Sequence, residues 1–376
     1  MTSSRNRNIV IVGAGIIGIS IAYHLSIRNN ISITVLDSDI PGSGATEHSF
    51  AWVNAFGKEP RTYHTLNRRS LDMWYRLSDQ LDSDIGIHHG GELRWENTEN
   101  GAKTLINRVR QLQGWGYPCR IITKDELVSM EPDLSPGNVL ASSYSNADFH
   151  IETDKFMSVI LNKVIENGIS LHSNTPVIDF KRKNDRIYSV ITSETEFPCD
   201  IVVLAAGVNT TSLADKVDVY LPQQCSPGVI IKTTKCKKIM QNAAIIHAPS
   251  KKETHQHIHM RQLDDGTLRI GQGTQEGINS DDSQEHADAL LDNLKTYFPA
   301  VGMASAITTP VGYRPMPIDG YPVIGFTKSV SNLYITLMHS GVTLAPIISE
   351  MATIEIVDGI NVEWFVPYRP NRFNTV

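Results

Sequence analysis

Short apolar runs mark the two ends of this chain, whereas residues 216–310 change character and carry short stretches that alternate like antiparallel strands. Residues 9–12, Ile-Val-Ile-Val, read as a buried strand that enters the turn Gly13-Ala14-Gly15-Ile16-Ile17-Gly18. Ile17, Ile21 and Leu25 then recur four residues apart, which predicts an amphipathic helix over 16–28. A second apolar strand follows over 31–36 and ends on Asp37. Pro60 suits a first helical turn, and Leu66, Trp74, Leu77 and Leu81 continue from it at helical spacing. Residues 85–145 mix Gly, Pro and short strands with one helix near 103–113. Thr153 as an N-cap, apolar Phe156, Ile160 and Val164, and Gly168 just beyond predict another helix. Strands are expected over 169–172 and 186–192, and residues 200–207 read as a buried parallel strand closing on Gly207.

In the middle, 229–232, 244–247, 255–262 and 267–271 read as antiparallel strands, with Asp264-Asp265-Gly266 as a hairpin turn. A helix over 284–297 follows. A strand over 332–337, a turn at Gly341 and a helix running through Ile356 restore the α/β texture.

The N-terminal order of strand, glycine turn, helix, strand and acid is what a dinucleotide requires. Gly13 permits the tight turn, Gly15 lets backbone approach a pyrophosphate, and Gly18 seats the helix on its strand. The helix start carries roughly half a positive charge for the phosphates. Asp37, 19 residues past Gly18, is placed to accept from ribose hydroxyls.

Length and composition narrow the class. The 376 residues suggest about two to three domains. With 41% hydrophobic and 20% charged residues, the chain is a folded globular protein rather than a disordered one. The formal net charge is −6, and the basic clusters 181–183, 237–238 and 251–252 are too short for a nucleic-acid groove. Cys119, Cys199, Cys225 and Cys236 form no CxxC pair, so reduced thiols and a cytoplasmic location are expected. Arg5 and Arg7 before an apolar run superficially resemble a signal peptide; cleavage there would remove the glycine turn, so the run is read as the first strand. No apolar run reaches the ~18 residues of a membrane span.

Three further stretches bear on the cofactor: Gly42-Ser43-Gly44-Ala45-Thr46; 202–207; and Gly312-Tyr313-Arg314-Pro315 with 319–325 and His339-Ser340-Gly341-Val342-Thr343-Leu344-Ala345-Pro346. With the glycine turn they resemble the FAD-dependent D-amino-acid oxidase, glycine oxidase and sarcosine oxidase superfamily, in order along the whole chain. The resemblance implies an α/β fold: a Rossmann-like, glutathione-reductase-like FAD-binding domain with an inserted antiparallel-β-rich substrate domain. The FAD domain is expected to be discontinuous, over 1–85, 146–215 and 311–376, with the substrate domain over 86–145 and 216–310. It implies FAD contacts from Gly13, Ala14, Gly15, Ile16, Ile17 and Gly18, from Asp37 and Ser38, and from Gly44, Ala45, Thr46, His48 and Ser49. Val177 is expected at the adenine, Ala206 and Gly207 beside the adenosine, and Gly312, His339, Ser340, Gly341, Val342, Thr343 and Leu344 along the flavin. The helix opening at Gly341 would direct its N-terminus at the flavin pyrimidine carbonyl.

The same resemblance makes Arg314 the anchor for a substrate carboxylate, a task suited to a guanidinium fork that keeps its charge. His257 falls near the position where relatives carry a substrate-touching tyrosine, with a plain strand-face histidine as the alternative. His339 is expected at the flavin edge or the active site. His48 sits at the offset where some relatives attach flavin covalently, the alternative being a noncovalent neighbour. His255, His257 and His259 could share a sheet face, yet no carboxylate or cysteine of suitable spacing joins them, and no metal is expected.

The function implied is oxidation of the C–N bond of a small amino acid or N-substituted amino acid, by hydride transfer to flavin. The imine product would hydrolyse, with oxygen as acceptor. A dehydrogenase passing electrons to a quinone or electron-transfer protein is the alternative. A nicotinamide enzyme and a flavin-binding protein without turnover are the other classes to separate. Oligomerisation, stereochemistry and the substrate itself stay open.

Overall fold

The structure, a computed structural model, describes residues 6–249, 257–273 and 280–373. The apolar run becomes the strand Arg7–Val12, which lies inside a six-stranded sheet. From one edge, the order is Val323–Phe326, Leu333–Leu337, Ile201–Leu204, Arg7–Val12, Ile31–Leu36 and Ser170–His172. All neighbours are parallel except the antiparallel edge strand Val323–Phe326. The chain leaves Arg7–Val12 toward Ile31–Leu36 and returns on its other side with Ile201–Leu204. The crevice between those departures opens at the strands' carboxyl ends, where ligands of such sheets bind.

The helix after the glycine turn spans Ile16–Ser26 and differs from the one-faced helix the spacing predicts. Nine of its residues are buried, on every side, because the sheet lies beneath it and the helix Gly341–Thr353 lies across it. A helix apolar all round belongs in a core. Thr153 is also reassigned: it is the first residue of the helix Thr153–Glu166, and Glu152 is the N-cap. The expected helix near Pro60 runs Arg61–Leu81, and the closing helix passes into a π-turn over Ile354–Asp358.

An eight-stranded sheet collects Glu92–Glu96, Cys119–Ile122 and Ala141–Ser145 together with Ile230–Thr233, Ile245–Ala248, Ile258–Gln262, Leu268–Gln272 and Ala306–Ile307. One pairing departs from the antiparallel expectation: Ile245–Ala248 runs parallel to Glu92–Glu96. Its own core packs Ile231, Met260 and Ile270 against Leu290, Leu294 and Phe298 of the helix Gln284–Tyr297 and its end. Gln223–Gly228, where the pattern predicts no strand, pairs with Gly312–Pro317 and carries the chain between the two sheets. Among the described residues no helix is long and apolar enough to cross a membrane.

The end of the closing helix is fastened by a buried acid. Glu355 accepts from Tyr334 Oη at 2.7 Å, from both Arg369 Nη atoms at 2.7 and 2.5 Å, and from the Val362 N–H at 2.7 Å. Every lone pair it presents is used, so its charge can be carried without water. Arg369→Met leaves that carboxylate buried and uncompensated. It is expected to cost about 3 kcal/mol or more, measured as a lowered urea midpoint at unchanged m-value.

Candidate active site

The glycines of the turn divide into two kinds. A β-carbon on Gly13, whose φ is +105°, would overlap the Ala205 carbonyl oxygen, and one on Gly18 would overlap the Gly13 oxygen. These two glycines serve backbone packing. A β-carbon on Gly15 would meet only Thr46 Oγ1, at 3.5 Å, and one on Gly44 would meet nothing within 4 Å. Space is therefore left over Gly15 and Gly44, beside the first turn of a helix with no side-chain cap of its own. Thr46 supplies one from a distant loop: its hydroxyl accepts the Ile16 N–H at 3.0 Å.

Asp37 stitches the turn to the second strand. Its Oδ2 accepts from the Ala14 N–H at 2.6 Å and its Oδ1 from the Asp39 N–H at 3.0 Å. Burial raises its pKa, and these two N–H donors pull it back. Ser38 is exposed just beyond. Val177 opens the strand Val177–Lys183, two residues after Thr175, whose N–H donates to the Asp37 carbonyl at 2.7 Å. Ala206 and Gly207 follow the strand Ile201–Leu204 beside Gly13, Gly207 at φ +56°. Ala45 is half-buried, Ser49 Oγ accepts the Ala51 N–H at 2.9 Å, and His48 lies so close to Gly312 that any side chain at 312 would strike its Cβ.

The helix Gly341–Thr353 brings a second N-terminus to the same crevice. A β-carbon on Gly341 would rest 3.6 Å from the Ile17 side chain and 3.8 Å from that of Ile16. Val342 O accepts from Trp74 Nε1 at 3.1 Å, and Thr343 Oγ1 donates to Trp52 O at 3.2 Å. Leu344 N–H closes the first turn on Ser340 O. Two helix starts, an open glycine backbone and a strand-tip acid are the donors and the acceptor that a pyrophosphate, a ribose and a flavin ring ask for, so the residues fit FAD.

Beyond the helix start lies a charged interior. Arg314 lies over Gly228 and donates to Ser226 O at 3.1 Å and Pro227 O at 2.7 Å. Among the described residues no acid pairs with it, and burial alone lowers its pKa. His259 stacks edge-on against Phe50 at 4.5 Å; burial, then Arg314 and Arg94, push its pKa down to about 3. His247 packs on Trp52 at 4.6 Å and is held neutral by burial and Arg94. His339 is pushed well below the usual imidazole range by burial, Lys58 and Arg314. His257 is engaged elsewhere: its Nε2 meets Glu96 Oε1 at 2.7 Å, so His259 is the strand histidine whose charge Arg314 opposes. His255 lies outside the described residues. The one group with metal-ligand spacing among the described residues is His88, Glu152 and Asp264, not the histidines of the strand.

Several polar residues here carry no signal in the sequence. Glu92 and Arg94 pair at 2.8 and 2.6 Å on one face of Glu92–Glu96, and Glu92 is buried. Their strand, Glu-Leu-Arg-Trp-Glu, shows a period-two pattern whose charged face would normally meet water; here it faces the interior. Asp148, held by Tyr117 Oη at 2.7 Å, is raised by burial and by the Glu92 charge. Lys58, 4% exposed in a loop with no periodic signal, donates to Ser340 Oγ at 2.8 Å.

Comparison with known proteins agrees with the fold. The sequence model of a family described as FAD dependent oxidoreductase (DAO) matches residues 8–353. The chain is 25% identical over 355 residues to one of the subunits of opine oxidase from Rhizobium meliloti, covering 90% of each chain. It is 23% identical over 377 residues to glycine oxidase of Bacillus licheniformis, covering 98% of each. The crystal structure of L-proline dehydrogenase from P. horikoshii superposes with a TM-score of 0.85, at 23% identity and 98% coverage of both chains.

The two kinds of glycine should separate on mutation. Gly15→Val is expected to change flavin-free stability by no more than about 1 kcal/mol while abolishing FAD retention. Gly18→Ala should cost about 2 kcal/mol. Chemical denaturation and bound-flavin absorbance check both. Burial lowers the Lys58 pKa from 10.5 to about 8, so its ammonium weakens the fold below pH 8. Lys58→Met should stabilise the flavin-free protein by about 2 kcal/mol at pH 7. That gain should shrink as pH rises from about 8 toward 10.5, where only the unfolded chain still holds the proton. Urea titrations across this range measure it.

Proposed function

The chain belongs to the family of FAD-dependent oxidoreductases, and from that premise we propose that it oxidises the C–N bond of a small amino acid or N-substituted amino acid, with oxygen as acceptor. The observation that carries this reading is Arg314: a desolvated guanidinium with no acid partner among the described residues, facing imidazoles kept neutral. Such a group gains most from a bound carboxylate, which restores the neutrality that burial denies it. The relatives support the class, one belonging to an opine oxidase and another being a glycine oxidase.

FAD, when bound, supplies the two-electron acceptor. In this reading Gly15, Thr46 and the first turn of the helix Ile16–Ser26 would hold its pyrophosphate, and the helix start at Gly341 would serve its ring. Arg314 fixes the carboxylate and thereby the Cα–H. The positive field of Arg314 and Lys58 lowers the pKa of the substrate ammonium, favouring the neutral amine whose lone pair must be free when the C–H bond breaks. Phe50 and Trp52, packed on His259 and His247, would supply apolar walls to the site. The substrate loses two electrons and two protons to become an imine, water converts the imine to a carbonyl and an amine, and oxygen taking up the two electrons with two protons leaves as peroxide.

Residues 1–85, 146–215 and 311–376 would form the FAD half and residues 86–145 with 216–310 the substrate half. Free thiols at Cys119, Cys199 and Cys236 suit a reducing, cytoplasmic setting.

Arg314→Met is expected to raise the apparent KM about a hundredfold, the loss of roughly 3 kcal/mol of charge-assisted hydrogen bonding, with FAD content unchanged. An unaltered KM would refute the assignment. Anaerobic bleaching with glycine, D-amino acids, sarcosine, iminodiacids and proline identifies the donor. Peroxide release on aerobic turnover separates oxidase from dehydrogenase, and flavin colour remaining in an acid precipitate would assign a covalent link to be traced to His48.

A further inference from the structure

Ser340 sits between three polar side chains at the start of the closing helix. Lys58 Nζ donates to its Oγ at 2.8 Å and Tyr63 Oη donates to it at 3.0 Å. His339 Nδ1 lies 3.5 Å from the same oxygen. A hydroxyl oxygen has two lone pairs and one hydrogen. With Lys58 and Tyr63 on the lone pairs, no third donor can be accommodated, and Ser340 has only its own hydrogen to offer. Nδ1 of His339 must therefore accept. The ring, neutral through burial and the nearby Lys58 and Arg314 cations, has a single N–H, and it falls on Nε2. That atom is buried and has no partner among the described residues.

We propose that Lys58 and Tyr63, acting through Ser340, hold His339 as its Nε2–H tautomer, so that the imidazole offers a neutral N–H to an anionic oxygen bound in the site. Lys58 and Tyr63 are positioning residues here, and His339 is the group that touches the ligand. The ammonium serves better than a neutral donor for this purpose, because it cannot reverse direction and accept from Ser340. His339 can then add a hydrogen bond without adding another positive charge beside Arg314. The oxygen belongs either to the substrate carboxylate that Arg314 attracts or to the carbonyl edge of the reduced flavin; both ask for a donor and neither supplies one. The flavin source rests on the FAD reading above, whereas the tautomer does not.

Nitrogen-15 NMR of the histidine-labelled holoenzyme tests the proposal, with the His339 signals identified by their loss in His339→Gln. The wild type should show His339 as Nε2–H. The double variant Lys58→Met/Tyr63→Phe frees both lone pairs of Ser340 and should bring in the Nδ1–H form. A wild-type ring protonated on Nδ1, or a tautomer untouched in the double variant, overturns the proposal whether or not FAD binds as described. Sodium acetate, the probe for a carboxylate, should move the Nε2 resonance if the oxygen is the substrate's. Dithionite reduction without acetate should move it if the oxygen is the flavin's. A resonance that neither treatment moves overturns the ligand role of His339. Acetate affinity, where acetate is bound, should fall about tenfold in the double variant, the loss of one oriented hydrogen bond.

Discussion

Everything in the site is referred to one steric contact. The backbone at Gly13 comes against Ala205, and Gly18 of the following helix comes against Gly13, with no room for a β-carbon at either glycine. That contact presses the helix Ile16–Ser26 onto the strand it follows and beside the tip of Ile201–Leu204. Once it is made, the position of the helix start is set, and Asp37, Thr46 and Gly341 are each located by what they touch there. Loosening it by one methyl group would displace the reference point from which the other contacts are measured.

The second organising feature is electrostatic. The eight-stranded sheet turns Glu92, Arg94 and Glu96 inward, and Lys58 and Arg314 enter the same interior from loops and from the linking strand pair. Glu92 pairs with Arg94 and Glu96 is hydrogen-bonded to His257, which leaves Lys58 and Arg314 without counter-charges among the described residues. Burying a cation without an acid costs stability, and folds keep such residues where a ligand can complete them. The imidazoles of His259 and His339 stay neutral and add no further positive charge beside them.

Much of the parallel layer is legible because its signals are local. Continuous apolar runs, glycines and a strand-tip acid lie close together in sequence, and the helix Gln284–Tyr297 falls where its periodicity puts it. The helix Ile16–Ser26 reads as one-faced because the partner that covers its far side is distant in the chain. Glu92 and Arg94 look like a solvated strand face, since alternation shows which residues share a face but not what that face meets. Lys58 is invisible for a related reason: a lysine in a loop carries no pattern, and only the arrival of Ser340 and Tyr63 around it gives it a role. His257 and His259 illustrate the limit of register. Spacing assigns both to one side of the strand, but a single hydrogen bond to Glu96 separates their chemistry.

The burial of the helix Ile16–Ser26 on all sides has a consequence for how the protein comes into being. Its outer surface is covered by the helix Gly341–Thr353, which is synthesised nearly a whole chain later. A nascent chain therefore emerges with its glycine turn attached to an uncovered, strongly apolar helix, and it must wait for its other end. Contacts so far apart in sequence form slowly and leave apolar surface open meanwhile. The glycine turn therefore reaches its final setting only once the two ends of the chain have met, since Gly341 rests against Ile16 and Ile17.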